Sequence, residues 1–144
     1  MQLTRFTDYA LRTLILLGSS ERERWSIDEV ATAFAMNHQH LSKVVHRLGQ
    51  LGYVTTIRGK GGGICLAMDP LTISVGAVIR DVEPDFKLLE CFDPASNTCP
   101  AGGCCALEQL MRQARNAFLK TLDDATLADV MGSGEDLRKL LGIH

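Results

Sequence analysis

The sequence predicts a mainly α-helical protein with a small β-hairpin wing. Its predicted parts are a winged helix-turn-helix domain, a long helix and a cysteine-rich loop. Three observations carry this prediction. Helical segments meet at a tight turn, a β-branched hairpin with a Gly-rich turn follows them, and four of the five cysteines lie in one short loop. A chain of 144 residues can bury an adequate core without disulfides.

The first three helices are indicated by apolar spacing and by their caps. Residues 6–17 carry apolar side chains at helical intervals. Ser26 and Glu29 have the spacing of a capping box, so a short second helix begins there. Asn37 is a favourable N-cap for a third helix over residues 37–51, which is the expected recognition helix.

A basic hairpin follows the third helix. Residues 53–68 alternate β-branched and polar positions around the turn "KGGG", which predicts two short strands. From Val30 to Met68 there is no Asp or Glu, although four Lys or Arg and three His lie in that stretch. Such a surface would attract a phosphate backbone, so we expect residues 1–70 to form a DNA-binding domain. A solvated basic face without a partner is the alternative.

The second half of the chain is expected to form a dimerisation region over residues 71–131 and a tail over residues 132–144. A short helix ends before Pro84. A longer helix then carries an apolar stripe formed by Leu107, Leu110, Met111, Ala114, Phe118 and Leu122. Because a small winged-helix domain leaves such a helix little to cover, we expect the stripe to form a homodimer interface. Packing within its own chain is the alternative, and the last turn of the tail could pack or fray.

The cysteine-rich loop spans residues 90–105 and indicates a metal or cofactor site. Its thiols in C-x7-C-x5-C spacing are Cys91, Cys99 and Cys105. Neither a signal peptide nor a membrane span is recognisable, so we expect a cytoplasmic protein with reduced thiols and no membrane partner. These gaps are wide for a zinc site, and no His lies from residue 75 to 142. The spacing therefore favours an iron–sulfur cluster, with zinc or a thiol redox switch as alternatives.

Four segments resemble the Rrf2 family of bacterial winged-helix regulators. They are "MQLTRFTDYALRTLILL", "LSKVVHRLGQLGYVTTIRGKGGGICLA", "VGAVIRDVEP" and "CFDPASNTCPAGGCCAL". The cysteine pattern without a nearby His is similar to that of the nitric-oxide-sensing iron–sulfur repressors of this family. The resemblance implies a homodimeric transcriptional repressor on double-stranded operator DNA. It also implies that nitric oxide attacks a [4Fe-4S] cluster and thereby releases the DNA.

The resemblance further implies the cluster ligands, which are Cys91, Cys99 and Cys105 together with Asp8 from the partner subunit. The loop departs from the family pattern at two points. Its first gap is wide, so Asp93 could compete as an oxygen ligand. Cys104 adds a second thiol beside Cys105, although the phrase "C-P-x4-C-x-L" selects Cys105.

The DNA-binding candidates lie on the recognition helix, on the wing and on the two preceding helices. His38, Gln39 and His40 are expected to touch base edges, since Gln is a natural partner of adenine; a solvated surface position is the alternative for each His. Phosphate or minor-groove contacts are expected from Arg12, Lys43, Arg47, Arg58 and Lys60, and Ser26 completes the set.

Two other classes of protein are disfavoured. No acid/base pair or nucleophile triad with a supporting motif is present, so we do not expect an enzyme. An iron–sulfur carrier that does not bind DNA would not need the basic hairpin or the long stretch without carboxylates.

Overall fold

A computed structural model describes residues 1–142 and confirms the predicted architecture, which is mainly α-helical with one two-stranded wing. In chain order the elements are α1 Arg5–Ser19, α2 Ile27–Ala33, α3 His38–Gln50, β1 Val54–Ile57, β2 Gly63–Leu66, α4 Val75–Val82, α5 Ala106–Asp123, α6 Leu127–Val130 and α7 Gly134–Leu141. Single 3-10 turns lie at Pro70–Thr72 and Glu90–Phe92. None of the helices within residues 1–142 has the length and apolarity needed to cross a membrane.

The predicted caps of α2 and α3 are confirmed. The Ser26 hydroxyl accepts a hydrogen bond from the Glu29 N–H at 3.1 Å, and the Glu29 carboxylate accepts one from the Ser26 N–H at 2.8 Å. Asn37 Oδ1 accepts a hydrogen bond from the His40 N–H at 2.9 Å. Gly52 follows α3 with a φ of 82°, a left-handed conformation that favours glycine and ends the helix. These local contacts explain why the turn between α2 and α3 could be placed from sequence.

The wing is an antiparallel hairpin that is anchored to the segment before α2. Val54 pairs with Leu66, and Ile57 pairs with Gly63. The Trp25 N–H donates to the Ile64 carbonyl at 3.0 Å, and the Ile64 N–H donates to the Trp25 carbonyl at 2.7 Å. A Cβ at Gly63 would lie 2.8 Å from the Trp25 carbonyl oxygen, so this approach requires glycine.

The hydrophobic core lies between α1, α3 and the wing, and it continues beyond residue 70. Leu14, Leu41 and Leu48 are fully buried at its centre. The same cluster includes Ile73, Val78 and Leu127 from the second half of the chain. As a result, α1 packs against α3, α4 and α6. The position of the recognition helix therefore depends on α1.

Two C-terminal features extend from this core. Helix α5 packs on α4, and Asp123 at its end forms an ion pair with Arg80 of α4. Leu119 of α5 is buried. Residues 134–141 of the expected tail form α7, which packs against α1 and contributes Leu141 to the edge of the core. The last turn of α7 thus packs against the edge of the core. Residues 143 and 144 of the predicted tail lie outside the described residues.

Candidate DNA-binding surface and cysteine site

The outer face of α3 is the centre of the candidate DNA-binding surface. Its buried residues Leu41, Val44, Val45 and Leu48 lie on one side. Since successive residues rotate by about 100°, the opposite line carries Gln39, Lys43, His46 and Gln50, all exposed. Gln39 and Lys43 are candidates from the sequence, whereas His46 and Gln50 are not. Their spacing opposite the apolar face is the signal that identifies them.

The two other predicted base-reading residues lie at the sides of α3 and contact neighbouring helices. His38 Nε2 lies 3.0 Å from Asp28 Oδ1 on α2. The half-buried His40 packs its ring against two rings of α1, with centroid distances of 5.0 Å to Tyr9 and 6.0 Å to Phe6. Both side chains therefore have partners within the protein.

The predicted phosphate-binding residues Lys43, Arg47, Arg58 and Lys60 are all exposed. Arg47 also donates from Nη2 to the Asp81 carbonyl at 3.4 Å, which ties the end of α3 to α4. The Tyr53 hydroxyl donates to Asp81 Oδ2 at 2.6 Å. Burial, together with the Asp81 carboxylate, raises the pKa of Tyr53, so its hydroxyl remains a neutral donor. The Ser26 hydroxyl is engaged in the capping box.

Three of the loop cysteines, Cys91, Cys99 and Cys105, line one cavity of about 230 Å³. Leu89, Gly102, Leu107 and Glu108 contribute to the same lining. Within residues 1–142, the lining does not include Cys104 or Asp93. The Cys104 thiol instead faces the Ala101 carbonyl at 3.8 Å, and the Asp93 carboxylate accepts a hydrogen bond from Lys87 Nζ at 2.8 Å. None of the five cysteines forms a disulfide in the described chain.

The loop is attached to α5 by contacts that use no thiol. Phe92 is buried, and the Arg112 guanidinium lies 4.6 Å from its ring centroid. Arg112 also donates to the Cys91 carbonyl at 3.4 Å and forms an ion pair with Glu108 at 2.7 Å. Glu90 accepts hydrogen bonds from both the N–H and the hydroxyl of Thr98 at 2.6 Å. The thiols can therefore bind a ligand without loss of these anchors.

The donor set of the cavity consists of thiols, which are the usual ligands of iron–sulfur clusters. Burial, reinforced by the Glu108 carboxylate, raises the pKa of the Cys91 thiol. The hydrogen bond from Arg112 lowers the pKa of Glu108, which keeps that carboxylate charged. In the described part of the chain, no three His, Cys, Asp or Glu side chains converge on a point suited to one ion. Three thiols distributed around a cavity in a Gly-rich loop fit an iron–sulfur cluster, which thiolates hold at several irons.

Asp8 lies in the first turn of α1 and is paired with Arg12. Its Oδ1 accepts a hydrogen bond from Arg12 Nε at 2.9 Å, and its Oδ2 lies 2.8 Å from Arg12 Nη2. Both side chains are about half exposed. Asp8, the expected fourth ligand of the cluster, thus forms an ion pair with Arg12, an expected DNA-binding residue. Asp8 does not line the cavity formed by the cysteines of its own chain within residues 1–142.

Helix α5 divides the predicted apolar stripe between two faces. Met111, Phe118 and Leu122 are half-buried on the side that faces the same chain. Leu107, one turn before Met111, and Leu110 are 55% and 59% exposed. The exposed line continues at i, i+3 and i+4 intervals through Ala114, Ala117 and Thr121. The helix therefore packs within its own chain and also presents an apolar outer face.

Comparisons with known proteins agree with this architecture. A family model described as "Rrf2: Iron-dependent Transcriptional regulator" matches residues 3–133. The HTH-type transcriptional regulator NsrR of Bacillus subtilis is 46% identical over 142 residues, which cover 98% of this chain and 97% of the relative. The structure of Staphylococcus aureus CymR in its oxidized form aligns with a TM-score of 0.72 at 25% identity and covers 92% of this chain and 97% of CymR. T. potens IscR has the same fold, with a TM-score of 0.73 at 21% identity over 94% of this chain and 90% of IscR.

Proposed function

Because the chain belongs to the Rrf2 family of transcriptional regulators, we propose that it is a cytoplasmic repressor that binds operator DNA as a homodimer and senses nitric oxide through a [4Fe-4S] cluster. The observation that carries the sensing part of this proposal is the arrangement of Cys91, Cys99 and Cys105 around one cavity. The family model's description as iron-dependent supports the same assignment.

DNA binding is supported by the exposed face of α3 and by the wing. In a dimer, two copies of α3 would enter successive major grooves, where Gln39 and Lys43 face the bases and the backbone. Arg58 and Lys60 at the wing turn would contact phosphates or the minor groove. Such phosphate contacts make the affinity strongly dependent on salt concentration.

The homodimer is supported by the outer face of α5. Leu107 and Leu110 are more than half exposed and are followed by small side chains on the same line. Apolar residues at alternating three- and four-residue intervals form the seam along which two helices pack. A two-fold symmetric dimer would also present two recognition helices to two half-sites.

The cluster would be held by the three cavity thiolates and by Asp8 of the partner subunit. When bound, it supplies iron that nitric oxide can reach. Both carboxylate oxygens of Asp8 contact Arg12, so an iron bound to Asp8 would compete with the Arg12 guanidinium for the same carboxylate charge. Ligation would thereby weaken the pair of Asp8 and Arg12 on α1. Because α1 packs against α3, this change is positioned to alter the fit of α3 to DNA.

Anaerobic purification tests the proposed function. We expect a brown protein with about four irons and four sulfides per chain. We also expect the holoprotein to bind one class of duplex selected from a randomised library and to release it on titration with nitric oxide. A colourless protein that contains zinc after careful reconstitution would move the cysteines to the zinc or thiol-switch alternative. A brown protein without affinity for duplex DNA would indicate a carrier.

The variant Asp8→Ala is expected to retain a cluster but to show a smaller difference in DNA affinity between the holo and apo forms. The reason is that three thiolates remain while the tie from α1 to the partner subunit is lost. The measurement is the ratio of holo to apo dissociation constants for the selected duplex. A decrease of the ratio by roughly tenfold corresponds to about 1.4 kcal/mol of coupling.

The matched control is Arg12→Ala, which breaks the same ion pair but leaves the carboxylate available as a ligand. The unfolding temperature of the apo protein should change little in either variant, since an exposed ion pair contributes only about 0.2–1 kcal/mol. An unaltered holo-to-apo ratio in Asp8→Ala would contradict the role of Asp8.

A further inference from the structure

The start of the recognition helix is held by aromatic side chains of α1. The His40 ring lies 5.0 Å from the Tyr9 ring and 6.0 Å from the Phe6 ring, with interplanar angles of 43° and 49°. The Tyr9 hydroxyl also accepts a hydrogen bond from the N–H of Asn37, the N-cap of α3, at 3.5 Å. Two contacts from adjacent turns of α1 therefore converge on the first turn of α3.

The orientation of His40 does not suit direct reading of bases. Gln39 lies near the middle of the exposed face of α3, and His40 is rotated from it by about 100° towards α1. His40 is half-buried, whereas Gln39 is exposed. A ring packed between two others would have to give up those contacts to reach a base edge.

The first turn of α1 is itself clamped to the end of α4. The Glu83 carboxylate accepts hydrogen bonds from the Thr4 N–H at 3.1 Å and from the Thr4 hydroxyl at 3.0 Å. It also accepts one from the hydroxyl of Thr7, whose side chain is fully buried. Asp8 and Tyr9 directly follow this clamp. Asp8, the proposed ligand, is therefore adjacent on α1 to Tyr9, whose ring contacts His40.

We propose that His40 is a positioning residue, which transmits the state of Asp8 on α1 to the recognition helix through its contacts with Tyr9 and Phe6. This inference rests on the proposed function, because it concerns the difference in DNA affinity between the holo and apo forms. In this proposal His40 couples ligation of Asp8 to the DNA affinity of α3, and the residues on the outer face of α3 read the bases.

The test compares His40→Ala with His40→Phe, and uses Gln39→Ala as the matched control on the exposed face. Each holo and apo protein is titrated with the duplex that the wild-type holoprotein selects from a randomised library, and each variant then repeats the selection. We expect His40→Ala to lower the holo-to-apo affinity ratio by roughly three- to tenfold, the scale of one aromatic contact, without a change in the selected sequence. His40→Phe should keep the ratio, and Gln39→Ala should alter the preference at a base.

The inference and the proposed function can fail separately. If the wild-type holo-to-apo affinity ratio is above one and His40→Ala has the same ratio, the inference alone is overturned. A changed base preference in both His40 variants would also overturn the inference alone. A wild-type ratio of one would overturn the proposed function as well. If His40→Ala does not fold, Tyr9→Leu is the second variant, because it removes the ring of α1 that contacts His40. It is expected to lower the holo-to-apo affinity ratio in the same way. An unchanged ratio in Tyr9→Leu would also overturn the inference.

Discussion

Replacement of Cys91, Cys99 or Cys105 by serine, one at a time, is expected to abolish the cluster and the response to nitric oxide. All three thiols line the same cavity, and a neutral hydroxyl is a poor substitute for a thiolate that binds iron. The loss should exceed the roughly 10- to 100-fold effect that is typical of groups outside the ligand set. The measurements are iron and sulfide per chain, the visible absorption spectrum, and the release of DNA by nitric oxide.

Cys104→Ser provides the matched control for this prediction, because Cys104 lies in the same loop and faces the Ala101 carbonyl instead of the cavity. It should retain the cluster. The apo forms of all four variants should unfold at similar temperatures, since the loop is anchored by Phe92 and Arg112 and not by a thiol. If Cys104→Ser lost its cluster while Cys105→Ser kept one, the assignment of these two neighbours would be reversed.

Leu110→Glu is expected to convert the dimer into a monomer and to weaken operator binding by roughly 100- to 10,000-fold. Leu110 is 59% exposed on the outer face of α5, where a charge would be buried against the second subunit. In a dimer, binding of the first recognition helix raises the effective concentration of the second at its half-site, which strengthens binding by roughly 100- to 10,000-fold. A monomer loses this gain. Sedimentation equilibrium measures the association state, and a titration of the selected duplex measures the affinity.

Gln109→Glu is the control for the dimer prediction, since it adds the same charge at the next position, about 100° around the helix. It should remain dimeric. Helix α5 should stay folded in both variants because Leu119 is buried on the face that packs on α4. A dimeric Leu110→Glu protein, or a monomer that binds the operator as tightly as wild type, would contradict the proposed interface.

The monomeric variant Leu110→Glu also tests the cluster ligands. If Asp8 reaches the cavity of the partner subunit, a monomer has only the three thiolates of its own loop. Its cluster should then resemble that of the Asp8→Ala dimer in its absorption spectrum. Dimerisation would in this way be required both for two-site DNA binding and for a complete ligand set.

Much of the fold could be predicted because its signals are local. The capping box of Ser26 and Glu29, the N-cap at Asn37 and the left-handed Gly52 each act within a few residues. The wing was recognisable because strand alternation and the Gly-rich turn are adjacent in sequence. The ligand role of the cysteines stays a prediction, although their spacing and family resemblance identified the three that share the cavity.

Other features could not be predicted because they depend on elements distant in sequence. The spacing of α5 indicates one apolar stripe, but the structure buries Leu119, which is not part of that stripe, and leaves Leu110 of the stripe 59% exposed. Residues 134–141 of the tail form a helix that packs against α1, with Leu141 partly buried at the edge of the core. In contrast, the pair of Asp8 and Arg12 has i,i+4 spacing and could have been predicted from the helix alone.

Caps, periodicity and composition are properties of neighbouring residues, so they predict the winged-helix architecture, the basic character of the recognition region and the clustering of the thiols. The surroundings of each side chain on the recognition helix depend instead on how α1 and α2 pack against it. His38 and His40 are next to Gln39 in sequence, yet rings of α1 half-bury His40 and Asp28 of α2 contacts the exposed His38, whereas Gln39 lies on the exposed face. The direction in which a side chain leaves a helix follows from its position in the sequence, whereas the burial of that side chain depends on which other elements pack against it.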